Sequence, residues 1–128
     1  MEMQHPEAPP EVSAWASAPP AWLEVMQVRR LDATLAPELG TGEREAISLA
    51  LEVHADVLLI DERTGRREAE ARHIAVAGTL AVLLQASLRG HFDLPEAMKR
   101  LRQFGFRASR PIEELMLARF EQAKKGKP

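Results

Sequence analysis

Hydrophobic and polar positions fall in blocks along the chain, and the blocks predict most of its elements. From residue 43 to residue 54, Ala46, Ile47, Ala50 and Leu51 recur at the three-and-four spacing of one helical face. Val57-Leu58-Leu59-Ile60 follows, apolar at consecutive positions and bounded by Asp56 and Asp61. A run that is apolar on both faces predicts a buried parallel strand. Residues 64–72 then predict a short polar helix, residues 74–77 a second short strand, and residues 79–88 a nearly all-apolar helix. Asp93-Leu94-Pro95-Glu96 is a helix start, with Asp as the cap, Pro in the first turn and Glu three residues on. That helix runs to about residue 104, where Gly105 stops it. A last helix begins after Ser109, with Pro111 in its first turn, and frays in Lys124-Lys125-Gly126.

The front of the chain is different. Its first 20 residues are rich in proline and predict irregular structure, relieved by a short helix at residues 11–17 with Trp15 as an anchor. Residues 22–28 mix β-branched and large apolar side chains between a Pro pair and Arg29-Arg30, the pattern of a strand. A loop then leads to Gly40-Thr41-Gly42. The expected division is an irregular segment at residues 1–21 and a domain at residues 22–128. Strands alternating with helices predict an α/β fold, with a parallel sheet, right-handed crossovers and helices on both faces.

Composition narrows the function classes. A chain of 128 residues fits one domain. The absence of cysteine excludes a disulfide framework and thiol chemistry, and suits a reducing compartment. The longest uncharged apolar stretch covers residues 74–88, short of the roughly 20 residues a membrane span needs. The start of the chain has neither a basic n-region nor an apolar h-region. A cytoplasmic protein with no membrane partner is the expectation. Charge is uneven: residues 1–40 carry two arginines against six acids, while residues 97–128 carry nine basic residues against three acids. The basic end suits an anion such as nucleic acid, and equally an ordinary solvated helix surface.

Two acids stand where chemistry is expected. Sites in open parallel sheets form beyond the C-terminal ends of the strands, and Asp61 directly follows Ile60 there. Glu43 lies in the first turn of the helix that leads into the same strand. By spacing alone, Glu43 also suits the positive helix end, and Asp61 also suits capping the next turn. Other constellations fail. The segment from Gly40 to Ala46 follows no strand, and Glu43 would repel a pyrophosphate, so it is no dinucleotide turn. His5, His54, His73 and His91 have neither metal spacing nor a cysteine partner. A nucleophile elbow and a phosphate-binding P-loop are both absent.

Read in order, Gly42-Glu43-Arg44-Glu45-Ala46-Ile47 and Ala55-Asp56-Val57-Leu58-Leu59-Ile60-Asp61-Glu62 resemble a branch of the PIN-like domain superfamily. The likeness continues through Arg66 and Ala69, Gly78-Thr79-Leu80, Val82-Leu83-Leu84, Arg89-Gly90 and the segment from Arg102 to Phe106. Upstream, the segments from Glu2 to Pro9 and from Pro19 to Val25 are similar to the branch's linker. The resemblance implies a three-layer α/β/α fold and a metal-dependent endoribonuclease, of a type common among toxins of toxin–antitoxin pairs. It implies catalytic roles for Glu43 and Asp61, and Mg²⁺ or Mn²⁺ held by Glu43, Asp61 and Glu2. Hard carboxylate oxygens suit such ions, which activate water and neutralise charge on phosphate. Arg63, Arg66 and Arg67 would then touch phosphates of single-stranded RNA, their alternative being a solvated helix face.

Two departures qualify the likeness. Glu62 stands where the branch has a second Asp, keeping the charge on a longer arm. The strand of the type D-T-S-P-L, which carries the family's first metal ligand, has no counterpart in the sequence. The expectation is therefore a partial PIN-like fold, incomplete at its N-terminus and inactive as given. The competing expectation is a non-catalytic interaction module that pairs with a partner chain. Either way, residues 57–60 would present an open sheet edge that recruits a second copy, a cognate antitoxin or another partner.

Overall fold

The computed structural model describes residue 3 and residues 5–126. Helix α1 (Pro10–Ser17) opens with proline in its first turn, where the missing N–H costs nothing. Its buried residue is Ala16, and Trp15 is left half-exposed, packed at 6.2 Å and 53° against the ring of Trp22. Trp15 thus anchors the helix to the following segment and not to a core. Residues 22–28 form no strand. Their apolar content suits a strand, but a strand needs a hydrogen-bonding neighbour, and this segment lies with Trp22 77% and Val25 63% exposed.

Helix α2 (Thr41–Val53) buries Ile47, Ser48 and Ala50 and ends at His54, whose left-handed φ of 52° turns the chain back. Strand β1 (Leu58–Leu59) comes next, then helix α3 (Arg63–Ala71) and strand β2 (Val76–Ala77). The strands pair in parallel, Leu58 beside Val76 and Leu59 beside Ala77. Flanking bonds from the Leu58 N–H to the Ala75 carbonyl (2.8 Å) and from the Ile60 N–H to the Ala77 carbonyl (2.9 Å) extend the ladder. The expected class is therefore observed: an α/β fold with a short parallel sheet and a crossover helix. The expected full burial of β1 is not. Leu58 packs into the core and Ile60 is buried, whereas Val57 and Leu59 on the opposite face are 50% and 66% exposed. An apolar run shows what both faces tolerate, and only one is covered here.

Two cores result. The first gathers Leu35, Leu39, Ile47, Ala50, Ala69 and Ile74 between α2, α3 and the sheet. The loop at residues 29–40 is clasped to it by polar groups. Glu52 accepts the N–H groups of Arg29 and Arg30 (2.8 and 2.9 Å), and the Asp32 N–H donates to Ser48 Oγ (2.9 Å). Arg72 bridges Asp32 and Glu68 at 2.9 and 3.0 Å, and Glu68 in turn accepts the Ala36 N–H. The second core is helical. Helices α4 (Thr79–Leu88), α5 (Leu94–Gln103) and α6 (Arg110–Lys125) enclose Leu80, Leu84, Leu94, Met98 and Phe120. Asp93 caps α5 through the Glu96 N–H at 3.3 Å, and Gly105 ends its exit with a φ of 88°. Among the described residues, no helix is long and apolar enough to cross a membrane.

Candidate functional site: carboxylates at the end of the sheet

Asp61 leaves β1 just beyond Ile60 and turns toward α4. One carboxylate oxygen accepts the Thr79 N–H at 2.8 Å, and the other accepts the Thr79 hydroxyl. The first N–H groups of a helix lack intrahelical partners and carry the positive end of its dipole. Gly78, preceding α4, has no side chain to satisfy them, so the acid does so from 18 residues earlier. Gly78 is also a condition for the contact: a Cβ there would lie 2.5 Å from Asp61 Oδ1. Asp61 therefore caps a helix, but not the one its sequence position suggests.

The cap of α3 is Glu62. Its oxygens accept the N–H groups of Thr64 (3.0 Å) and Gly65 (2.6 Å). Those two backbone donors, Gly65 first, hold its carboxyl below the usual carboxylate range. The departure from Asp at this position leaves a side chain occupied with its own helix. Asp61 and Glu62 thus both line the open end of the sheet, each holding the start of a helix.

Glu43 stands in the first turn of α2, half-buried, and curls back over Gly40, where a Cβ would meet its Oε2 at 2.5 Å. Glu43 and Asp61 line one open cavity of about 990 Å³, with Glu45, Glu62, Leu59 and Ile60 among its walls. The cavity thus brings together the two acids singled out in the sequence. Glu2 lies outside the described residues. Among the described residues, no group of three or more His, Asp or Glu is arranged to hold a metal ion.

The arginines of α3 divide. Arg66 is half-buried, with Nη1 3.6 Å from the point a Gly78 Cβ would occupy, on the same flank as the Asp61 carboxylate. Arg63 and Arg67 are exposed. Asp61, Leu59 and Ile60 also wall a second cavity of about 360 Å³, which continues over Thr79, Val82 and Leu83.

The largest shift in acidity lies elsewhere. Asp32 is held at about 2, first by the Thr34 hydroxyl and N–H and then by Arg72. That group belongs to the clasp on the first core, where a perturbed carboxyl serves structure. The residue that sequence reasoning passed over is Thr79. It lay inside a matched segment, but nothing local marks a helix-opening threonine as the partner of an acid 18 positions back.

Comparison with known proteins adds one finding. A sequence profile described as a PIN domain matches residues 2–122, a span that includes Glu43, Asp61 and Thr79. No match was found among curated proteins or among solved structures.

Proposed function

The chain belongs to the PIN-domain family, and from that premise we propose that it is a metal-dependent endoribonuclease domain of the toxin–antitoxin type, acting on single-stranded RNA in the cytoplasm. The observation that carries the reading is that Glu43 and Asp61 both line one open cavity at the end of a parallel sheet. Both offer hard oxygen donors, and Mg²⁺ is commonly held by one or two carboxylates with substrate phosphate and water completing its shell. Mg²⁺ or Mn²⁺ between them would supply an activated water and neutralise charge on the phosphate.

The protein's own part is positioning. Thr79 orients the Asp61 carboxylate through two donors. Gly78 leaves room for that carboxylate, and Arg66 beside it suits a substrate phosphate. Arg63 and Arg67 extend the same helix toward solvent. No three of the described acids are arranged to hold a metal ion, so the domain is expected to bind metal weakly and to turn over slowly.

A second reading has its own support. Among the described residues no strand pairs with the outer edge of β1, and Leu59, on one face of that strand, is 66% exposed. An edge of this kind suits an interaction module that pairs with an antitoxin, a second copy or another partner chain.

Incubation of a single-stranded RNA with the protein in Mn²⁺ separates the two. Cleavage that needs the metal and falls at least about 100-fold in both Glu43→Gln and Asp61→Asn supports the nuclease. Cleavage that is indifferent to metal or to both substitutions overturns these assignments. No cleavage, together with capture of a partner chain through β1, supports the module. Micromolar Mn²⁺ affinity by calorimetry that survives the double substitution would equally sink the metal site.

A further inference from the structure

Beyond α4 the second core leaves two large rings in solvent. Phe104, at the end of α5, is 85% exposed, and Phe92, just before α5, is 51% exposed. A lone exposed apolar residue needs no explanation, but these two line one concavity of about 240 Å³ together with Leu83, Leu101 and Arg100. Leu83 belongs as well to the cavity that reaches Asp61 and Thr79. Leu83 is thus a wall common to two cavities, one beside Asp61 and one beside the rings. Along α4, Leu83 stands four residues after Thr79, about 6 Å of axial rise.

Charge completes the pattern. Arg100 makes no ion pair among the described residues, while its neighbours Arg102 and Arg110 are bound to Glu113 and Glu114. On its other flank Phe92 borders a concavity of about 350 Å³ that contains Lys124. Phe92 thus has Arg100 on one flank and Lys124 on the other, and Leu83 links its cavity to the one beside Asp61. Single-stranded nucleic acid is the ligand whose chemistry matches this arrangement. Its bases offer flat π-faces, and its phosphates seek positive charge. A duplex fits less well, because its bases already stack on each other. Aromatic rings beside an unpaired guanidinium also suit a protein interface, which the sedimentation readout below distinguishes.

We infer that Phe92 and Phe104, with Arg100 beside them, form a base-stacking platform that holds single-stranded RNA whose scissile bond is presented to Asp61. The inference rests on the nuclease reading for that bond, and the platform itself is tested by binding alone. Stacking on a side chain is tolerant of base identity, so the platform grips a strand without reading its sequence.

Fluorescence anisotropy of a labelled single-stranded RNA with the intact chain in EDTA, where metal-dependent cutting is silent, gives the readout. Phe104→Ala and Phe104→Leu are each expected to weaken binding about tenfold, and Phe104→Tyr to restore it. Arg100→Gln is expected to lower the salt dependence of binding, whereas Phe104→Ala leaves it unchanged. Equal binding by the Leu and wild-type chains, or absence of binding by the wild type, overturns the platform. So does Phe104→Ala binding RNA normally while sedimenting as a smaller species, which would make the face a protein interface. Cleavage in Mn²⁺ is scored separately. Ring-dependent binding without cleavage overturns the nuclease and keeps the platform, and cleavage with ring-independent binding does the reverse.

Discussion

Asp61 and Thr79, 18 residues apart, meet twice: one carboxylate oxygen takes the threonine N–H at 2.8 Å and the other takes its hydroxyl. Both donors sit at the first position of α4, so a single acid fixes the start of that helix to the end of β1. The same acid faces the cavity it shares with Glu43. One side chain thus serves the fold and the candidate site together.

Thr79→Val keeps the shape and the N–H but removes the hydroxyl. The expected loss is about 1 kcal/mol, the net worth of one hydrogen bond, rising if Asp61 finds no substitute donor. Urea unfolding of the two chains measures it. An unchanged midpoint would mean that water replaces the hydroxyl at no cost.

Gly78→Ala places a Cβ 2.5 Å from Asp61 Oδ1, a distance at which the acid or the backbone must shift. Overpacking of this kind costs about 1–3 kcal/mol. The Mn²⁺ affinity is expected to fall with the stability, because the displaced carboxylate is a proposed ligand. Full stability and full metal binding in this variant would refute the tight approach.

Acid should loosen the clasp on the first core. The carboxyl of Asp32 is lowered from 3.8 to about 2 in the fold. A depressed carboxyl contributes stability that is complete above its unfolded value and is lost as pH falls through the folded one. The stability difference between wild type and Asp32→Asn is therefore expected to be constant above about pH 5 and to shrink between about pH 4 and pH 2. Denaturant titrations across that range decide it, and a difference that grows with acid would contradict the assignment.

The outer side of β1 is expected to hold another chain. No strand pairs with that edge among the described residues, and one face of the strand leaves Val57 and Leu59 half or more exposed. Sedimentation should find the wild type dimeric, partner-bound or precipitating, and Leu59→Lys shifted toward monomer, since an edge lysine blocks pairing. A monodisperse wild-type monomer, with Leu58, Leu59 and Ile60 strongly protected from hydrogen exchange, would refute it.

Helices were legible in the sequence because their signals are local. Asp93, Pro95 and Gly105 bracket α5 from positions within one turn of its ends, and Ala46, Ile47 and Ala50 mark the inner face of α2. Strands were legible only in part, because a strand is completed by its neighbour. Residues 22–28 have strand composition and no ladder, and β1 has an apolar residue on each face but cover on one. The two acids could be picked out since one follows a strand and the other opens a helix. Their partners could not. Thr79 lies 18 residues from Asp61, and Arg72 lies 40 residues from Asp32. Such pairings depend on how the elements cross in space.

Leu58, three residues before Asp61, packs with the first core, and Leu80, next to Thr79, belongs to the second. The carboxylate is thus a joint between two separately packed bodies. A cation drawing on its oxygens would compete with Thr79 for them and ease the grip on α4. By linkage, a ligand of the α4–α6 bundle whose binding that grip affects must change cation affinity by the same factor by which the cation changes the ligand's. A ligand seated on that bundle and a cation at Asp61 would then report on each other through one aspartate.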